Sequence, residues 1–204
     1  MRKYLLVFAA ILLLVSVVSA FADDLNPPSW RGQAGTTWGI WEFNTNNPNP
    51  LPDQGYNPYG TPSTQVTPGL FQSWQPNWGG RSGVWPLSGE IWITIPNNPV
   101  ANPYKDIWVQ LTWAEQATGN TPLVLATAPE NTASSLVNQV ALGGGWYHST
   151  YSIRLYPNPN QETLLITGGI NVDQLVIDTR CVPEPSSILA LSAGLIGLVL
   201  RKRR

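Results

Sequence analysis

From Glu90 onward the chain alternates in steps of two. EIWITI (90–95) sets Ile91, Ile93 and Ile95 on one side and Glu90, Trp92 and Thr94 on the other. DIWVQLTWA (106–114) groups Ile107, Val109, Leu111 and Trp113 opposite Trp108, Gln110 and Thr112. Alternation of this kind turns one face of a strand to a core and the other outward. It predicts further strands at 37–43, 64–71, 123–127, 137–142, 146–156, 163–167 and 170–179. In the last of these the apolar parity shifts between Val172 and Leu175, which predicts a bulge near Asp173. No segment keeps a helical spacing for three turns. Short strands without crossover helices predict an all-β protein, a β-sandwich of jelly-roll type. An immunoglobulin-like sandwich is the alternative, but the single cysteine, Cys181, leaves it without the inter-sheet pair.

Between Asn44 and Gly83 the pattern fails. Seven prolines and repeated Asn-Pro pairs interrupt it, so the stretch predicts a long irregular loop with few places for a ladder. The closing stretch GINVDQLVIDT (169–179) resembles the last strand of galactose-binding-like sandwiches.

Two apolar runs do not alternate at all. Leu5 to Val18 follows Arg2 and Lys3 and precedes Ala20-Phe21-Ala22, the layout of a secretory signal peptide cut before Asp23. The second run, 186–200, would cover about 22 Å of a roughly 30 Å hydrocarbon core as a helix. It follows Val182-Pro183-Glu184-Pro185 and precedes Arg201, Lys202, Arg203 and Arg204. Those three parts in that order resemble the PEP-CTERM sorting signal of Gram-negative bacteria. The resemblance implies an exosortase as processing partner, transient anchoring in the inner membrane through the tail, and a destination at the cell surface or in the exopolysaccharide matrix. The expected organisation is a signal peptide at 1–22, one β domain at 23–180 and the sorting signal at 181–204.

Composition sharpens this picture. About 160 residues remain between the two signals, enough for one domain with a core. Within Asp23–Val182, five basic residues against eleven acidic ones leave a net charge of −6. An acidic domain without a Lys/Arg cluster excludes nucleic acid as partner. His148 is the sole histidine, so a histidine-based zinc site cannot be assembled, and its strand pattern predicts a surface position. Glu90 and Glu115 could face each other across neighbouring strands as a glycosidase pair, but any β domain with eleven acids offers such pairs. Asp173 and Asp178 are conceivable calcium ligands, though no ligand spacing specifies such a site. The expectation is a domain without cofactor, metal or catalytic activity.

The positive signal is aromatic. All ten tryptophans lie between the two targeting segments. Trp113 shares a side with aliphatic residues and belongs to the core. Trp92 and Trp108 fall on the polar-patterned sides of two strands expected to be neighbours, while Trp74, Trp78 and Trp85 sit in the Gly/Pro/Asn-rich stretch FQSWQPNWGGRSGVW. An exposed indole is a flat apolar plate with a polar rim, suited to the C–H face of a sugar ring. These five residues are the candidate contacts for an extracellular polysaccharide. A purely structural matrix protein, its indoles buried, and a carbohydrate-active enzyme are the competing readings.

Overall fold

The computed structural model describes residues 23–182 except Ala101 and Pro129, so the expected signal peptide and the sorting tail beyond Val182 lie outside the described residues. Thirteen strands follow in chain order: β1 Thr36–Trp41, β2 Gln54–Tyr56, β3 Ser63–Thr67, β4 Gln75–Trp78, β5 Arg81–Leu87, β6 Glu90–Pro96, β7 Tyr104–Glu115, β8 Leu123–Ala128, β9 Thr132–Ala133, β10 Ser135–Gly143, β11 Trp146–Leu155, β12 Gln161–Thr167 and β13 Ile170–Val182. They form two antiparallel sheets, a jelly-roll type of β-sandwich. The larger runs β10-β11-β7-β13-β1-β2, with β5 also on β13 and β4 on β5; the smaller runs β3-β6-β12-β8-β9.

The period-two pattern explains the packing. Ile91, Ile93, Ile95, Leu164 and Ile166 of the smaller sheet share one core cluster with Ile107, Val109, Leu111, Trp113, Leu175 and Ile177 of the larger one. Each aliphatic chain removed from water contributes about 1.5–3 kcal/mol. Trp113 lies fully inside, stacked on Tyr147 at 5.0 Å with its indole N–H donating to Ser149 Oγ at 2.9 Å. The bulge expected near Asp173 is present, as a register shift between Val172 and Gln174 against β7.

The stretch 44–83 departs from expectation except at β3, which overlaps the strand expected at 64–71. It contains β2, β3, β4 and the start of β5, all short and held to partners that alternate properly. Prolines there fall between the ladders or on an edge, where a missing N–H costs little.

A second departure decides where the tryptophans go. The connection from β6 to β7 is not a hairpin but passes from the smaller sheet to the larger, so these consecutive strands are not neighbours. Residues 23–35 then cross the outer face of the larger sheet as a strap. Asp23 N donates to Gln174 Oε1, Asn26 N to Gln110 Oε1 at 2.7 Å, and Arg31 binds both Asp24 and Asp178.

Candidate functional site

Trp92 and Trp108 are parted by that crossover. Trp92 lies half-buried on the outer face of the smaller sheet, in a cross-strand row with Gln65 and Leu165. Trp108 lies on the outer face of the larger sheet, half-buried beneath the strap, its N–H donating to Asn26 O at 2.8 Å. A single patch built on both rings is therefore corrected. Trp85 is core, and Trp74 packs against the core with its N–H on Phe43 O at 2.8 Å. Trp78 remains exposed but meets the buried Trp146 edge-on at 5.6 Å, and Arg81 covers Trp146 from 5.3 Å.

The carboxylate pair of the competing enzyme reading is not assembled. Glu90 starts β6 and Glu115 ends β7, in different sheets. Asp173 and Asp178 are taken up by guanidinium groups, Arg81 at 2.8 Å from Asp173 and Arg31 at 2.7 Å from Asp178. Among the described residues no three His, Cys, Asp or Glu side chains gather as metal ligands. His148 is not on the surface. It is 1% exposed under the strap, between Thr112 Oγ1 at 3.1 Å and Gln110 Oε1 at 3.2 Å, and burial holds its imidazole below the usual pKa range.

The structure instead assembles a site at the β1–β2 edge. Trp38 on β1 faces Tyr56 on β2 directly across the ladder, so both rings stand on one side of the sheet. The strands come this close because Gly55 faces Gly39; a Cβ on Gly55 would lie 2.8 Å from Trp38 O. Together with Pro52, Asp53, Gln54, Asn57, Gly60, Thr61 and Pro62, the two rings line an open groove of about 350 Å³. Tyr56 is 57% exposed. Trp38 is half-buried and braced by the Arg31 guanidinium, 5.7 Å from its ring centre.

The rim is ordered before any ligand arrives. Asp53 N donates to Ile40 O at 2.7 Å, and its carboxylate accepts from Glu42 N at 2.7 Å. Asn57 donates to Pro96 O at 3.0 Å and accepts from Tyr59 N at 2.9 Å. Of the lining residues only Asp53 is acidic, so the groove offers one carboxylate, not two. Sequence reading passed over Trp38 and Tyr56 because Tyr56 lies in the proline-rich stretch. The usable signal was Gln-Gly-Tyr, a polar–glycine–aromatic triplet that lets an edge strand approach closely.

The PEP-CTERM protein-sorting motif family matches residues 182–204. The chain ends in a PEP-CTERM sorting signal. Such a signal marks an exported protein handed to an exosortase. No curated protein matches the chain by sequence. Among solved structures, "CBM35 from Cellvibrio japonicus Abf62" is similar at 15% identity and a TM-score of 0.33, over 50% of this chain and 80% of that one. "Xyl-CBM35 in complex with glucuronic acid containing disaccharide" is similar at 12% identity and a TM-score of 0.32, over 53% and 77% respectively.

Proposed function

We propose that this exported protein is a non-catalytic component of the cell surface or exopolysaccharide matrix that binds neutral polysaccharide through the β1–β2 groove. The observation that carries the reading is the Trp38–Tyr56 pair, two aromatic faces fixed side by side on a ladder, with Asp53, Gln54, Asn57 and Thr61 around them. Rings on a strand position a ligand better than rings on a loop. One carboxylate in the groove suits hydrogen bonding to hydroxyls and does not supply the acid and base of a glycosidase.

Charge narrows the ligand. Among the described residues all five cations, Arg31, Arg81, Lys105, Arg154 and Arg180, are paired with carboxylates. A uronic acid would meet Asp53 with no free counter-charge, whereas a neutral sugar meets no such penalty. Each ring covered by a sugar contributes on the order of 1–2 kcal/mol after ordering costs. Two rings give about millimolar affinity, which display of many copies in a matrix would strengthen. Trp92 and Trp78, each alone on its own surface, offer single-ring contacts at most.

Affinity electrophoresis of the exported protein in gels containing the host's own polysaccharide tests the proposal. Trp38→Ala or Tyr56→Ala should abolish retardation with the circular dichroism spectrum unchanged, and Trp92→Ala should leave it intact. Absence of retardation for the unaltered protein would favour a purely structural matrix component.

A further inference from the structure

The interior of one end of the sandwich is polar. Asn97, directly after β6, continues the inward parity of Ile91, Ile93 and Ile95 and is 5% exposed. Lys105, near the start of β7, continues the inward parity of Ile107 and Val109 and is 1% exposed. Glu162 on β12 shares the inward side of Leu164 and Ile166 and is fully buried. Glu162 is their shared neighbour: Lys105 Nζ is 2.9 Å from Glu162 Oε1, and the Asn97 carboxamide also approaches the Glu162 carboxyl. Nearby Ile95, Ile107 and Leu155 are almost fully buried.

As a permanent arrangement this cluster is costly. Two charges out of water carry a penalty of several kcal/mol per ion unless hydrogen bonds complete them. Here Lys105 Nζ stands 2.9 Å from Glu162 Oε1, yet neither Glu162 oxygen completes a well-formed hydrogen bond. Asn97 Nδ2 donates to Pro159 O at 2.8 Å, while its Oδ1 is buried without a partner. An amine, a carboxyl and an unpartnered amide carbonyl in an apolar enclosure are the reactants and the proton carrier for amide exchange.

We infer that Lys105 and Asn97 join in an intramolecular isopeptide bond, with Glu162 as the proton-transferring catalytic residue. Lys105 passes a proton to Glu162, and its freed lone pair attacks Asn97 Cγ. The Glu162 hydroxyl stabilises the charge that gathers on Oδ1. A proton moves through Glu162 from the attacking nitrogen to Nδ2, the Cγ–Nδ2 bond breaks and ammonia departs. The products are a secondary amide, ammonia and a neutral Glu162, with atoms and charge balanced and no outside reactant. Burial raises the Glu162 carboxyl above its usual range, against the opposing pull of Lys105, which suits a group that must hold a proton. The reaction exchanges a buried ion pair for a neutral amide.

Lys105 is the single lysine between Asp23 and Val182, which makes the test direct. The exported protein is denatured and digested with a lysine-specific protease, and its intact mass is measured beside the Glu162→Gln and Asn97→Ala variants. The expected wild-type protein is about 17 Da lighter than the calculated mass of the same processed chain, resists cleavage after Lys105, and yields a branched peptide joining Asn97 to Lys105. Both variants should be cut after Lys105, and Glu162→Gln should regain the lost ammonia. Ammonia loss without the branched peptide, or a wild-type Lys105 that is cut, overturns the inference. Should either variant fail to fold, the wild-type digest alone still decides.

Discussion

Asp173 stands where β13 bulges, its carboxylate held by Arg81 and surrounded by Asp23 and Glu42. Burial pushes its pKa up from 3.8 to about 6, with Arg81 opposing the shift. The folded protein thus holds this proton more tightly than the unfolded chain does. The contribution to stability is full below about 4 and is lost as pH rises through about 6, a swing of up to about 3 kcal/mol. Asp173→Asn should remove that dependence. Thermal melts of both proteins between pH 4 and 7 check it, and the difference between the two curves should change across that window. Single residues were legible where their surroundings were local: Trp113 shares its strand face with Val109 and Leu111, and its place in the core followed. His148 and Trp108 were misjudged because their strands do turn them outward, and what buries them is the strap at 23–35, more than 70 positions away in the chain. Alternation within a strand carries no record of a distant segment lying across it.

At the scale of elements, β2 is the informative case. Its three residues are all exposed, so it adds little to the core, yet it carries one of the groove's two rings. Gly55→Ala would drive a methyl toward Trp38 O, 2.8 Å away, and detach β2 from β1. The expected result is a loss of about 1 kcal/mol of stability or less, with polysaccharide retention abolished. A melt combined with the affinity gel separates these effects, and a large fall in melting temperature would contradict the peripheral role given to β2. Long strands such as β7 and β13 announce themselves through many repeats of the two-residue period. A three-residue strand with Gly at its centre has too few repeats to register, which is why the groove was hidden in an apparent loop.

For the whole molecule, the all-β sandwich was legible because short alternating strands without helices leave few other architectures. The allocation of strands to sheets was not, since the Pro- and Asn-containing connection between β6 and β7 is long enough either to turn back beside its strand or to cross the core. The pairing of Trp92 with Trp108 failed on that one crossover. The terminal signals make their own prediction: protein recovered from the native envelope should lack residues 1–22 and the segment after Pro185, read by intact mass. Retention of Arg201 to Arg204 on a stable product would count against cleavage. Strand β13 gives these events an order in time. It lies in the middle of the larger sheet, between β7 and β1, yet it is the last of the described strands in chain order, so the proposed N-terminal signal peptide would bring it out last. The sandwich cannot close until residues 170–182 have emerged, and the sorting motif begins at Val182 with no spacer between them. Under the proposed processing, completion of the fold and exposure of the sorting motif would fall at the same moment, and a chain stalled before that point would be neither folded nor ready for sorting.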